Sequence, residues 1–184
     1  EGGLAPNATV MSWRGEEGGR AAAAAGHKVV MSPHAYCYID APQDAPPTQP
    51  EAIGGYLPLE KVYSYDPTPK GMSEDMAQYI LGVQGNLWAE FIPTDEHYEM
   101  MLWPRAIAIA EVGWSQPNEK EYGLFRIRAI DIIERMMAEG YAPFDLKNEI
   151  GERPESLQPI KHLARGKAVT YNLPSRYYAP QYGA

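Results

Sequence analysis

The sequence is almost without cysteine. Cys37 is the single one in 184 residues, so no intrachain disulfide can form and thiol content leaves the compartment open. Positive charge is also scarce. Sixteen Lys and Arg face 24 Asp and Glu, a formal net charge of −8. Phosphate binding needs clustered Lys and Arg, so no nucleic-acid partner is expected. No apolar run approaches the roughly 20 residues of a membrane-spanning helix. The four histidines are scattered and no Cys/His cluster has zinc spacing. No metal is expected. There is no Gly-rich phosphate loop followed by Lys-Ser/Thr and no dinucleotide fingerprint, so no cofactor is expected. Glu1-Gly2-Gly3-Leu4 has neither a basic n-region nor an apolar h-region, and no signal peptide is read there. Internal repeats are absent.

What is present is enough for a core: 45% of residues are apolar and 11% aromatic. The length suits one domain, or one and a piece of another. Residues 8–13 read as a short buried strand. Gly18-Gly19 then opens an alanine-rich helix over residues 20–25, stopped by Gly26. Residues 28–31 read as a second buried strand, continuous in hydrophobicity. Residues 41–58 are rich in Pro, Gly and Gln without periodicity, a long loop of the kind that often carries function. Residues 59–65 suit a short helical turn, 73–79 a helix and 80–87 a third strand. Thr94 is placed to cap a helix whose first turn holds Asp95 and Glu96. Pro104 predicts a break near Trp103 and a restart with Pro104 in the first turn. Residues 119–139 form the clearest helix, with Phe125, Ala129, Ile132, Ile133 and Met136 on one face and Gly140 as the stop. Alternating strand and helix predict parallel α/β architecture. A shift in composition near residues 149–159 predicts a boundary.

Three segments carry the chemistry: Val10-Met11-Ser12-Trp13, Tyr36-Cys37-Tyr38-Ile39-Asp40 and Gly82-Val83-Gln84-Gly85-Asn86-Leu87-Trp88-Ala89-Glu90. Each reads as a strand whose C-terminal end carries aromatic and polar groups. Aromatic faces beside fixed carboxylates suit a sugar, since flat rings cover its C–H face and carboxylates accept its hydroxyl protons. The spacing of two in Tyr38/Asp40 and in Trp88/Glu90 points both members of each pair the same way on a strand. Alternatives stay open from the residues alone. Trp13 suits core packing, Asp40 suits a turn cap, and Tyr36 shares the parity of Tyr38. Arg14 suits a rim residue or an ion-pair partner.

The ordered set is more specific than its parts. Ser-Trp-Arg-Gly, Gly-His-Lys-Val-Val-Met-Ser-Pro, Tyr-x-Asp, Leu-Gly-x-Gln-Gly-Asn-Leu-Trp-x-Glu and Pro-Arg-x-x-Ala-x-x-Glu-x-x-Trp-Ser follow one another over about residues 5–145. This set resembles the last part of the catalytic barrel of family 20 glycoside hydrolases, the β-N-acetylhexosaminidases. The resemblance implies the C-terminal part of a (β/α)8 TIM barrel, about the last three strands and their helices, over residues 1–148. Residues 149–184 would be a linker and the start of a β-rich accessory domain. It implies substrate-assisted hydrolysis with retention, in which the sugar's own 2-acetamido oxygen attacks the anomeric carbon.

By that resemblance Tyr38 holds the acetamido oxygen as it attacks, Trp13 walls the acetamido pocket and Trp88 packs on the sugar face. Asp40 and Glu90 hold hydroxyls at O4 and O6. Arg105, Glu111 and Trp114 match family positions on the helices after the last strand and are expected to be structural. The family's adjacent Asp-Glu catalytic pair comes from an earlier strand, upstream of this sequence. Asp95-Glu96 follows the last strand and opens a helix, so it is not that pair. The chain alone is therefore expected to be inactive and, with an incomplete barrel, to self-associate. The partner is expected to be a glycan containing N-acetylhexosamine, and the intact protein periplasmic or secreted. Two other classes compete: a non-catalytic carbohydrate-binding module using Trp13, Asp40, Trp88 and Glu90, and an α/β piece without ligand.

Overall fold

A computed structural model describes residues 3–45 and 48–151. The accessory start expected within residues 149–184 lies, from residue 152 onward, outside the described residues. The elements run β1 (Thr9–Ser12), α1 (Glu17–Ala24), β2 (Lys28–Met31), α2 (His34–Cys37), α3 (Leu59–Tyr63) and α4 (Glu74–Ala77). Then follow β3 (Ile80–Val83), α5 (Asp95–Leu102), α6 (Arg105–Trp114) and α7 (Tyr122–Ala138). The three strands form one parallel sheet in the order β1-β2-β3. Because they are parallel, their C-terminal ends share one side, where Trp13, Ser32 and Gln84 leave the sheet.

Helix α1 begins earlier than the sequence suggests, and both glycines lie inside it. A Cβ on Gly19 would stand 2.6 Å from the Met31 sulfur and 3.2 Å from Ser12 Cβ. The glycine thus lets α1 lie directly on β1 and β2, and that close approach offsets the poor helix propensity of glycine. Ser12 Oγ accepts from the Gly19 amide at 2.9 Å and donates to the Gly15 carbonyl at 2.6 Å, pinning the turn between strand and helix.

The third strand is shorter than expected, ending at Val83. Its register with β2 slips between Val29 and Val30, where Gly82 takes a φ of +141°. A glycine is needed for that backbone, and the irregularity re-aims the residues that follow. The segment around Tyr38 is not a strand. His34–Cys37 forms one helical turn and Tyr38 makes an isolated parallel bridge with Asn86. Pro33 favours that turn, since its fixed φ suits a helix entry. The strand-parity argument for Tyr38 and Asp40 therefore does not apply, and the two are placed by a turn instead.

The helices after β3 follow the expected plan with shifted ends. Thr94 Oγ1 accepts from the His97 amide at 3.2 Å and caps α5. Pro104 sits just before α6 rather than within its first turn. Glu121 caps α7 by accepting from the Gly123 and Leu124 amides, so that helix starts at Tyr122 rather than at residue 119. Phe125, Ala129 and Ile133 are buried along its inner face, with Ile132 and Met136 at the margin.

Two apolar clusters result. One joins Leu57, Leu59, Val62, Tyr63, Ala108, Phe125 and Leu146. The other joins Ala22, Val29, Met31, Cys37, Tyr65 and Val112. Helix α6 spans both, through Ala108 and Val112. Each large side chain so buried contributes about 1.5–3 kcal/mol. Cys37 lies in the second cluster, fully buried, and desolvation pushes its thiol up to about 12. It stays protonated and is a packing residue. The opposite face of the sheet is uncovered among the described residues, with Met11 41% and Leu81 56% exposed.

The tightest polar tie is Arg105, expected to be structural and completely buried. Its guanidinium donates to the carbonyls of Ile39 at 2.5 Å, Ala41 at 2.6 Å, Met101 at 2.8 Å and Leu57 at 3.1 Å. Arg105→Met removes the donor and leaves these carbonyls buried. At about 1–3 kcal/mol for each group left unsatisfied, a loss of roughly 3 kcal/mol or more is expected. Urea denaturation of the protein carrying this chain measures it. An unchanged midpoint would show that Arg105 does not tie the loop to the helices.

Candidate functional site

The strand ends are first fixed by a small polar network. Ser32 Oγ donates to the Gln84 carbonyl at 2.8 Å, Asn86 Nδ2 donates to Ser32 Oγ at 2.6 Å, and Gln84 Nε2 donates to Asn86 Oδ1 at 2.8 Å. Main-chain bonds from Ile39 N to the Asn86 carbonyl and from Asn86 N to the Cys37 carbonyl then hold the Tyr38 segment against the one that leads to Trp88. None of Ser32, Gln84 or Asn86 was singled out from sequence as a site residue. Short polar residues just past strand ends carry no periodic signal.

On this frame the aromatic residues meet. The Tyr38 ring lies 6.4 Å from that of Trp88, tilted by 50°. His34 stands edge-on to Tyr38 at 6.2 Å, and its amide donates to the Trp13 carbonyl at 2.8 Å. Trp13 thus joins the cluster through its main chain and His34. Its ring is 40% exposed, with the Arg14 guanidinium 4.9 Å from the ring centre. That stacking makes Arg14 a partner of the indole. Tyr36, which shared the parity of Tyr38, is separated from it by the helical turn. It stacks on Tyr65 at 4.8 Å, with the planes 21° apart.

A narrow cleft beside Trp88 brings together Asp40, Glu90, His97 and Met101, with Glu51 and Ile53 arriving from the loop. Asp40, Trp88 and Glu90 therefore share one wall. Trp13 does not line it. Trp88 is half exposed, Glu90 exposed and Asp40 only 6% exposed. Burial is the main cause that lifts the Asp40 carboxyl above the ordinary range, and the charge of Glu90 adds to it. A main-chain hydrogen bond and the Arg105 charge oppose the rise. One Asp40 oxygen, Oδ1, is buried without a hydrogen-bond partner. Such a group is costly in a purely structural role.

The loop over residues 41–58 is tied down. The Leu57 amide donates to the Pro42 carbonyl at 2.9 Å, and Gln43 Nε2 donates to the Met100 carbonyl at 2.7 Å. Asp44 accepts from the Ile150 and Gly151 amides and from Thr48. The loop therefore delivers Glu51 and Ile53 to the cleft from fixed ends. Sequence reasoning marked the loop but not these two residues, and it missed His97, which looked like any first-turn helix residue. Trp114, expected to be structural, is 92% exposed among the described residues. Glu111 is structural in its contacts, accepting from Arg128 at 2.6 and 2.8 Å and from Tyr63 at 3.1 Å. Asp95 and Glu96 are both exposed at the start of α5, away from the cleft lining.

Asp40 makes a stability prediction with a definite sign. A carboxyl whose folded pKa is raised binds its proton more tightly in the folded state, so stability falls as pH rises from about 4 through the raised value. Asp40→Asn removes that dependence. The variant's stability relative to wild type is expected to be more favourable at pH 7 than at pH 4. Thermal denaturation of both proteins at the two pH values checks this, and equal differences would contradict it.

Comparison with known proteins gives a consistent answer. The model of the glycosyl hydrolase family 20 catalytic domain matches residues 2–117. A β-hexosaminidase of Porphyromonas gingivalis is 48% identical over 141 residues, covering 76% of this chain and 18% of that protein. A β-hexosaminidase of Akkermansia muciniphila is 34% identical over 132 residues, covering 68% and 26%. Among solved structures, the family 20 exo-β-N-acetylglucosaminidase of Vibrio harveyi in complex with N-acetylglucosamine superimposes with a TM-score of 0.67 at 27% identity. It is matched over 78% of this chain and 23% of that one. The chain thus spans about a fifth to a quarter of these proteins.

Proposed function

This chain belongs to glycosyl hydrolase family 20, and on that premise we propose that it forms the C-terminal part of the catalytic barrel of an exo-β-N-acetylhexosaminidase. In this reading residues 1–148 belong to the barrel and a linker begins at 149. The protein removes a terminal N-acetylhexosamine from a glycan. The observation that carries the proposal is the wall shared by Trp88, Asp40 and Glu90, with the Tyr38 ring 6.4 Å from that of Trp88. Aromatic faces and carboxylate acceptors are the two things a pyranose needs. The uncovered sheet face with Met11 and Leu81 supports a barrel completed by other strands. A free chain is expected to self-associate through that face.

The chemistry proposed is substrate-assisted. The 2-acetamido oxygen attacks the anomeric carbon as the glycosidic bond breaks, and an acid protonates the departing oxygen. A cyclic oxazolinium forms, and water then opens it with the β configuration retained. The Tyr38 hydroxyl donates to the acetamido oxygen as that oxygen becomes the nucleophile. Trp88 covers the sugar face, Trp13 walls the acetamido group, and Asp40 and Glu90 accept ring hydroxyls. The acid and the carboxylate that orients the acetamido N–H come from an Asp-Glu pair outside this chain. A carbohydrate-binding module would use the same wall, but membership of a hydrolase family favours the enzyme.

Three outcomes test the proposal. The purified chain alone is expected to leave p-nitrophenyl N-acetyl-β-glucosaminide intact, and turnover above background would overturn the missing-pair reading. In the intact enzyme, Tyr38→Phe should lower kcat by roughly 10²-fold, as removal of one preorganised donor does. Loss in kcat and kcat/KM together would mark a transition-state role, and wild-type kcat would show Tyr38 misassigned. Glu90→Gln should raise KM and change the ratio of kcat/KM for gluco and galacto substrates. If both values and their ratio stay fixed, Glu90 is outside the sugar site.

A further inference from the structure

After α7 the chain returns to the loop over residues 41–58. Arg126, on α7, donates to the Leu146 carbonyl at 2.9 Å and to Glu149 Oε2 at 3.2 Å, which fixes the stretch that follows the helix. The next two amides meet one carboxylate. Ile150 N–H donates to both Asp44 oxygens at 3.1 Å, and Gly151 N–H donates to Oδ1 at 2.7 Å. From within the loop, the Thr48 hydroxyl donates to Oδ2 at 2.9 Å. The Tyr56 hydroxyl donates to the Gly151 carbonyl, so loop and departing segment are joined at two places.

Asp44 is completely buried. Burial alone would lift its carboxyl, but the amides of Ile150, Ala45 and Gly151 and the Thr48 hydroxyl outweigh it and hold the group below the ordinary carboxylate range. Asp44 is therefore ionised at neutral pH, and its hydrogen bonds are charge-assisted. The neck of the loop does not need them. Leu57 N–H already donates to the Pro42 carbonyl, and Arg105 holds Ala41 and Leu57. The Asp44 clamp acts beyond the neck, on the part of the loop that leads to Glu51 and Ile53. Those two residues border Trp88 and Glu90, and Ile53 is 57% exposed. A tip so exposed has few buried contacts of its own, and its position depends on the chain behind it.

We propose that Asp44 is a positioning residue for substrate binding: it ties the segment that leaves the barrel, at Ile150 and Gly151, to the loop whose tip borders the sugar site. The inference rests on the reading of the Trp88 wall as that site. In this arrangement residues 149–151 are a strut under the loop rather than a free linker. Asp44 touches no substrate. It acts by keeping the loop in the one position that completes the wall, and a site that is complete only part of the time binds more weakly by that fraction.

The test uses the intact enzyme with p-nitrophenyl N-acetyl-β-glucosaminide. Asp44→Ala is expected to raise KM by about three- to tenfold through the lost fraction of complete sites, with kcat changed by less than about twofold. Asp44→Asn keeps an oxygen for the Ile150 and Gly151 amides and should recover most of that loss. Hydrogen exchange over residues 49–57 should be faster in Asp44→Ala than in wild type. An unchanged KM, a fall in kcat without a rise in KM, unchanged exchange, or equal behaviour of Ala and Asn would each overturn the proposal. If Asp44→Ala fails to fold, Tyr56→Phe decides, since it removes only the hydroxyl on the Gly151 carbonyl. It should raise KM in the same sense and by less, and an unchanged KM there would overturn the proposal. Glu90→Gln separates the two levels of reading. If it raises KM and the Asp44 and Tyr56 variants do not, the Asp44 inference alone fails. If it leaves KM unchanged, the sugar-site reading fails and the Asp44 inference falls with it.

Discussion

A buried guanidinium organises this molecule. Arg105 is fully buried, and its desolvation pushes its pKa down to about 9, which still leaves it charged at neutral pH. A cation in such a place is stable only if its protons are used. Arg105 uses four of them, from Nη1 and Nη2, on carbonyls from three separate places: the Ile39–Ala41 turn, Leu57 at the far end of the loop, and Met101 in the last turn of α5. The five-donor fork of arginine matches that task, and an ammonium could not span it. The position of Asp40 follows, because Asp40 lies between two residues whose carbonyls the guanidinium holds. Charge completes the pairing, since the guanidinium draws the Asp40 carboxyl back toward ionisation while burial pushes it the other way.

The same tie explains why the loop over residues 41–58 can act as a wall. Its two ends are clamped at Ala41 and Leu57, and Gln43 and Asp44 are buried and bonded to other parts of the chain. A loop held at that many points presents Glu51 and Ile53 in fixed positions, which reduces the ordering entropy charged to ligand binding. Trp88 and Glu90, on the segment anchored by the Ser32, Gln84 and Asn86 network, line the same cleft.

The sequence made the layout legible where periodicity and punctuation were strong. The buried β2, the Thr94 cap, the break before Pro104 and the inner face of α7 were all readable from local pattern. The ends of elements were not. Gly18 and Gly19 look like helix breakers until Met31 is seen to need the space, and that contact is tertiary. The Tyr38 segment alternates like a strand but is bent by Pro33 and by its bridge to Asn86, which lies 48 residues away in sequence. Tyr36 and Tyr38 are two positions apart and equivalent in pattern, and only the helical turn sends one to Tyr65 and the other to Trp88. Of the anticipated cleft residues, Asp40, Trp88 and Glu90 meet in one lining, whereas Trp13 touches the cluster through its carbonyl and His34. His97, Glu51 and Ile53 had no readable signal, because a cleft lining drawn from a loop, a turn and a helix start has no period.

The distribution of polar satisfaction sharpens this picture. Polar groups elsewhere in the fold show how thoroughly the chain can satisfy itself: Ser12, Ser32, Asp44 and most of Arg105 find partners within about 3 Å. Among the described residues Asp40 Oδ1 and His97 Nε2 do not, and neither do His27 Nδ1, Gln43 Oε1, Tyr65 OH and Arg105 Nε. Replacing Asp40 or His97 by an apolar residue of similar size would relieve a desolvation penalty of about 1–3 kcal/mol, so stability alone does not account for these two residues. Chains tolerate such local conflict where a ligand resolves it. Of the residues that carry these atoms, Asp40 and His97 line one cleft with Trp88, Glu90 and the loop residue Glu51.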